Sequence, residues 1–227
     1  MLVSPTPEEL VSTTATALVD LLAARIADQR QAHLCLTGGT IAAQLYRHLG
    51  ATALDAVDWS RVHLWWGDER WVPAGHADRN DGQAQAALGP IWDRTIRHPM
   101  PASDSGHELD AAASAYAAEL GDTRFDLCLL GVGPDAHVAS LFPDHPGLEA
   151  PGRVIGVRNS PKPPPERISL THAVINESAQ VWFVVSGADK AEAVTSARTV
   201  GSTLPAARVR GRSATVWRVD ASAAVSG

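Results

Sequence analysis

An aspartate and a histidine two residues apart, Asp135 and His137, stand in the glycine turn Gly131-Val132-Gly133-Pro134-Asp135-Ala136-His137. An apolar run, residues 125–130, lies directly before it and reads as a buried strand. The turn therefore falls at the carboxyl end of a strand, the edge where open α/β sheets hold ligands. A carboxylate can orient an imidazole, and a neutral imidazole can take a proton from water. The stretch after His137 is apolar enough to start a helix, whose backbone dipoles would lower the histidine's pKa. A zinc site built from Asp135, His137 and His145 finds no support in cysteine spacing or in a helical His pair, so no metal is expected.

Three other constellations carry charge or flexible backbone. Leu36-Thr37-Gly38-Gly39-Thr40 follows an apolar run, and there glycine N–H groups, hydroxyls and a helix start could cradle an anion. The bland reading is a tight turn with Thr40 as N-cap. No Gly-Lys-Ser/Thr follows, so the loop is not of the Walker type. Trp66-Gly67-Asp68-Glu69-Arg70 places three charges just past a second apolar run, with Asn80 downstream. These charges must line a cleft or pair with one another, and a plain surface pair of Glu69 with Arg70 would be worth little. Arg167 opens a later apolar run, and Lys190 follows Val184-Val185-Ser186-Gly187. Arg can fork onto a phosphate, while Lys acts as a point charge.

The elements that must position these groups alternate along the 227 residues. Thr6-Pro7-Glu8-Glu9 reads as a capping box, opening a helix with Leu10, Leu18, Leu22 and Ile26 on one face. Strands are predicted over 33–36, 62–66 and 125–130, and near 168–170, 181–185 and 215–219. Helices are predicted through Leu45 and Leu49, over 108–120 and over 189–197. Strand, turn and helix in repetition imply an α/β fold: one Rossmann-like domain over 1–227, a mainly parallel sheet with helices on both faces. The segment Pro161-Lys162-Pro163-Pro164-Pro165 reads as a rigid loop rather than a linker.

Hydrophobic residues make up 45 % of the chain, enough for a sizeable core, yet no stretch approaches eighteen uninterrupted apolar residues. A net charge of -6 argues against nucleic-acid binding. Cys35 and Cys128 lie in apolar runs without a disulfide or metal spacing, which favours a reducing, cytoplasmic setting. Lys162 and Lys190 are the two lysines among 19 basic residues.

Taken in order, Thr-Gly-Gly-Thr, Asp-Glu-Arg-x-Val-Pro, Gly-x-Gly-x-Asp-x-His-x-x-Ser-Leu-Phe-Pro, Pro-Pro-x-Arg-Ile-Ser-Leu-Thr and Gly-x-x-Lys resemble the 6-phosphogluconolactonases over most of the chain. Two departures stand out. Ala136 replaces a glycine usual in that family, and Ile41-Ala42 replaces its usual Thr-Pro. The resemblance implies a modified Rossmann-like fold, shared with glucosamine-6-phosphate deaminases, and no required cofactor. It also implies hydrolysis of 6-phospho-D-glucono-1,5-lactone in the pentose phosphate pathway, by a monomer metabolically coupled to glucose-6-phosphate dehydrogenase, with no membrane partner. On that basis His137 is the expected base, oriented by Asp135. Arg70 is expected at the developing oxyanion and Asp68 at sugar hydroxyls. Thr37, Gly38, Gly39, Thr40, Asn80, Arg167 and Lys190 are expected to bind substrate. A deaminase pattern would carry Asp-Glu-Tyr and a Glu five residues beyond the His, whereas this chain has Asp68-Glu69-Arg70 and Phe142. A non-catalytic sugar-phosphate sensor would normally carry a helix-turn-helix before the first strand, where this chain reads as a single helix.

Overall fold

The computed structural model describes residues 1–29 and 31–224. The first half of the chain runs β1 (Leu2–Ser4), α1 (Pro7–Gln29), β2 (Ala32–Leu36), α2 (Thr40–Thr52), β3 (Val62–Trp66), β4 (Asp68–Arg70), α3 (Asn80–Leu88), α4 (Pro90–Arg94), β5 (Ile96–Arg97) and α5 (Leu109–Leu120). The second half runs β6 (Leu127–Leu130), β7 (Val154–Val157), β8 (Arg167–Leu170), α6 (His172–Asn176), β9 (Gln180–Val185), α7 (Ala191–Arg198), β10 (Ala214–Asp220) and α8 (Ala221–Ala224).

Seven strands form a sheet in the order β1-β10-β9-β6-β2-β3-β5, and every pairing in it is parallel. Its central strands are continuous apolar runs, such as Leu127–Leu130, because helices and loops keep water from both their faces. From β2 the chain moves outward through β3 to β5, whereas from β6 it moves the opposite way through β9 to β10. The boundary between β2 and β6 is thus a topological switch point, and the loops leaving those two strands diverge to open a crevice.

The sequence reading placed Asp68-Glu69-Arg70 in a loop and residues 168–170 among the strands of the main sheet. The structure corrects both. These segments pair with each other in a second, antiparallel sheet of order β4-β8-β7, with Asp68 opposite Ser169 and Arg70 opposite Arg167. Gly67 is the pivot: its N–H bonds Leu36 O at 2.9 Å on the large sheet, and its carbonyl accepts the Leu170 N–H at 2.8 Å on the small one. Ile168 and Leu170 join the same apolar cluster as the large sheet's strands.

In α1, Thr6 Oγ1 accepts the Glu9 N–H at 3.2 Å, as the capping box requires. Its 23 residues have a mean hydropathy of 1.5 over their most apolar window, so the helix is long and apolar enough to cross a membrane by length and composition alone. Its apolar stripe is spent inside the fold: Leu10, Leu18, Leu22 and Ile26 are buried in the core.

Candidate active site

The loops leaving β2, β3, β6 and β9 converge on a cleft of about 530 Å³ at the carboxyl edge of the large sheet. Thr37, Gly38, Gly39, Thr40, Asp68, Arg70, Asn80, His137, Arg167 and Lys190 all line it. Asp135 is placed behind His137 and reaches the cleft through it.

His137 Nδ1 and Asp135 Oδ1 are 2.5 Å apart. An ionised carboxylate only accepts, so Nδ1 carries the proton and Nε2 is left as the basic nitrogen. No helix follows His137, which corrects the sequence reading. Ala136 and Ala139 have φ of 61° and 48°, and Val138 pairs with Leu141 in an isolated antiparallel bridge. The apolar residues instead fill the core, with Val138, Leu141 and Phe142 at most 1 % exposed. Burial, not a helix dipole, is therefore the main force lowering the pKa of His137; the Asp135 hydrogen bond opposes it and Lys162 adds to it. Burial pulls Asp135 upward, but the bond from His137 prevails and its carboxyl stays below the ordinary range. The Phe142 ring lies 4.6 Å from the imidazole and closes its apolar side. His145 is turned to other work: Nδ1 accepts the Gly147 N–H, and Nε2 is 2.8 Å from Arg158 O.

At the other lip, α2 begins without any side-chain cap. Its N-cap is Gly39, with φ 102°, and not Thr40. The first-turn N–H groups have no partner in the helix and face the cleft with the positive end of the helix dipole. Thr37 N–H is not available to an anion, because Tyr46 Oη takes it at 3.0 Å and donates in return to Thr37 O. Thr37 Oγ1 accepts the Gly131 N–H at 3.4 Å, joining the two loops at the switch point. Lys190 closes this side from the turn after β9, its Nζ 3.2 Å from Asp189. That turn is held by Asp220, whose carboxylate accepts from Ser186 Oγ at 2.7 Å and from the Gly187 N–H. No sequence signal singled out Asp220.

The three charges of β4 divide. Glu69, 1 % exposed, points away from the cleft and accepts the Arg70, Asn80 and Asp81 N–H groups at 2.7–2.9 Å. Burial pushes its carboxyl up to about 7 against the pull of those donors and of Arg79. Asp68 faces the cleft, accepting from Ser140 Oγ at 2.7 Å, with Arg167 Nη1 at 3.9 Å. Arg70 donates through Nη1 to Asp78 O, and its Nε is buried without a partner. Asn80 donates to Asp68 O at 2.9 Å, while its Oδ1 is buried and unpartnered. That oxygen presses so closely on Gly38 that any Cβ there would lie 2.0 Å from it.

Arg167 is 6 % exposed, and its expected bidentate grip on an anion is not available. Nη2 donates to Lys162 O and Pro163 O at 3.1 and 3.0 Å, and Nε donates to Pro164 O at 3.3 Å. Lys162, which the sequence reading left without a role, lines the cleft from that loop.

Residues 5–217 match the family model described as glucosamine-6-phosphate isomerases/6-phosphogluconolactonase. A 6-phosphogluconolactonase of Streptomyces coelicolor is 44 % identical, over 97 % of this chain and 95 % of its own. One from Mycobacterium tuberculosis is also 44 % identical, with the same coverage. Among solved structures, the 6-phosphogluconolactonase of Thermotoga maritima superposes with a TM-score of 0.84 at 26 % identity, covering 96 % of this chain and 99 % of that one. A monomeric glucosamine-6-phosphate deaminase shares the fold at a TM-score of 0.76 and 20 % identity, covering 99 % of each chain. An Asp–His dyad facing an uncapped helix start across one cleft thus accompanies sequence likeness along nearly the whole chain, and the chain belongs to the glucosamine-6-phosphate isomerase/6-phosphogluconolactonase family.

Proposed function

We propose that this protein is a 6-phosphogluconolactonase, hydrolysing 6-phospho-D-glucono-1,5-lactone to 6-phospho-D-gluconate with His137 as the general base. The observation that carries this reading is one cleft with a basic imidazole on the β6 side and anion-binding groups on the β2 and β9 sides. The phosphate is taken by the α2 N-terminus, by the Gly38-Gly39-Thr40 backbone with the Thr37 and Thr40 hydroxyls, and by Lys190. Remote binding of this kind fixes the reacting carbonyl over the dyad. His137 Nε2 removes a proton from water as its oxygen attacks C1, and the carbonyl electrons move onto the oxyanion beside Arg70. The tetrahedral adduct collapses, the bond from C1 to the ring oxygen breaks, and the imidazolium returns its proton to that oxygen. Asp68 accepts from a sugar hydroxyl, and Asn80 steadies it by donating to the Asp68 carbonyl.

Phe142 argues against the deaminase chemistry of the wider family. It is 1 % exposed against His137 and has no group that can move a proton. The same proposal takes the protein as a single-domain, cytoplasmic monomer supplied with lactone by glucose-6-phosphate dehydrogenase. Two buried free thiols suit a reducing compartment.

The test generates the phospholactone enzymatically at mildly acidic pH, where its spontaneous opening is slow, and follows its loss. The parent protein should accelerate that loss, and His137→Ala should lower kcat by roughly a hundredfold or more with little change in KM. No acceleration by the parent refutes the reaction, and an unimpaired His137→Ala refutes the base.

A further inference from the structure

Three consecutive carbonyls, those of Lys162, Pro163 and Pro164, turn inward onto the guanidinium of Arg167. The loop is also closed on itself: Ser160 N–H bonds Pro165 O at 2.9 Å, and Ser160 Oγ bonds Lys162 O at 2.9 Å. With its backbone held from within, the loop presents the Lys162 side chain to the cleft. Among the described residues no carboxylate lies within 4 Å of the Lys162 ammonium, unlike that of Lys190. Its charge acts on Asp135, His137, Lys190 and Arg167. A half-buried cation without an ion-pair partner, held beside two other cations, loses hydration that the charge of Asp135 only partly offsets in the free protein. Compensation comes from an anion arriving in the cleft.

Two anionic centres meet the cleft during the proposed reaction: the phosphate, and the charge that grows at C1 and persists as the product carboxylate. The phosphate already has the α2 N-terminus and Lys190. The Arg167 guanidinium on which this loop closes lies 5.9 Å over the Phe142 ring, which itself packs 4.6 Å from His137, so Lys162 is held on the dyad side of the cleft. We propose that Lys162 is a further catalytic residue, its ammonium contacting the negative charge that develops at C1, and that Arg167 is the positioning residue holding Lys162 there rather than a substrate ligand. The inference rests on the lactone-hydrolase reading.

Substitution Lys162→Met tests it, with the pH dependence of kcat/KM measured beside kcat and KM. The phospholactone kcat should fall about 10- to 100-fold, the scale for losing one transition-state donor, with KM changed far less. Because Lys162 disfavours the imidazolium, its loss should move the acid limb of kcat/KM, which Asp135 and Asp68 also influence, to higher pH. Lys162→Arg should restore part of both losses. Unphosphorylated gluconolactone should lose the same factor as the phospholactone. A rise in KM alone, confined to the phosphorylated substrate, would assign Lys162 to the phosphate and overturn the proposal, as would parental kcat with an unmoved acid limb. For Arg167, the double variant Lys162→Met/Arg167→Met should be no slower than the slower single one, since both lie on one line of action. Multiplying losses would make Arg167 an independent ligand. If Arg167→Met does not fold, the Lys162 measurements decide alone. Absence of turnover by the parent sinks the functional reading, whereas turnover indifferent to Lys162 sinks only this inference.

Discussion

Replacing Gly133 by alanine displaces the dyad without deleting any of its atoms. A Cβ on Gly133 would lie 2.0 Å from His137 Nδ1, 2.1 Å from its Cε1 and 2.5 Å from Asp135 Oδ1. Ordinary contact begins near 3.4 Å, so the ring must retreat by about 1.4 Å, the gap between 2.0 and 3.4 Å. It cannot retreat towards the interior, where Phe142 is already packed against it. The imidazole must swing outward, away from the carbonyl it serves. A displacement of about 1 Å at a reacting group costs on the order of a hundredfold, so kcat should fall by roughly that factor. The α2 N-terminus and Lys190 are untouched, so KM should stay within about threefold. Steady-state turnover of the phospholactone measures both, and circular dichroism with a melting curve shows that the fold survives. Gly82→Ala is the control, since a Cβ there meets nothing within 4 Å. A Gly133→Ala protein with parental kcat would refute the claim that rate depends on where this ring is held.

Three further outcomes follow from the same structure. Because burial depresses the pKa of His137, kcat/KM should hold its plateau below the ordinary histidine value of 6.5 before falling. Asp135→Asn removes the partner that opposes that depression, so the acid limb should move lower still and kcat should drop about 10- to 100-fold; a limb that moves up contradicts the assignment. His33, stacked on His63 and accepting Trp65 Nε1–H at Nδ1, has its pKa lowered to about 4, chiefly by burial, then by His63 and against Asp126. The unfolded chain then binds the extra proton first, so stability is full above 6.5 and is lost as pH falls towards 4, by about 2 kcal/mol after solvent screening. His33→Gln should flatten the fall in melting temperature across that window, and an unchanged slope would place the loss elsewhere. Ala136→Val forces a β-branched side chain into φ 61° at a site 1 % exposed, which should cost about 2–3 kcal/mol and lower kcat through the loop. An undiminished melting temperature would mean that the left-handed backbone is not maintained.

Strands 62–66 and 125–130 were legible because a parallel strand covered on both faces needs an unbroken apolar run, whatever its partners. With those strands located, the chemistry-bearing loops fell on one edge of the sheet by topology. The small antiparallel sheet was not legible. Three adjacent charges give no alternation to read, and β4 exists because Arg167–Leu170, nearly a hundred residues later, pairs with it. The apolar stretch after His137 signalled burial correctly but not conformation: the same residues suit a helix or a core-filling turn, and two left-handed alanines decide for the turn. Lys162 was invisible as a site residue for a similar reason. Nothing in Pro-Lys-Pro-Pro-Pro says which way its carbonyls face, and that direction is set by Arg167 across the loop.

The divergence of the chain on either side of β2 and β6 has a further consequence. In the proposed reaction the phosphate is gripped from both arms, by the start of α2 on one and by Lys190 on the other, whereas the proton-moving pair comes from the segment behind β6 alone. A descendant protein can therefore exchange its reaction while keeping its handle on phosphorylated sugars, by rewriting the segment behind β6 and leaving the start of α2 alone. In this chain the phenylalanine lodged against the imidazole brings no group that moves a proton, in keeping with the proposed lactone hydrolysis.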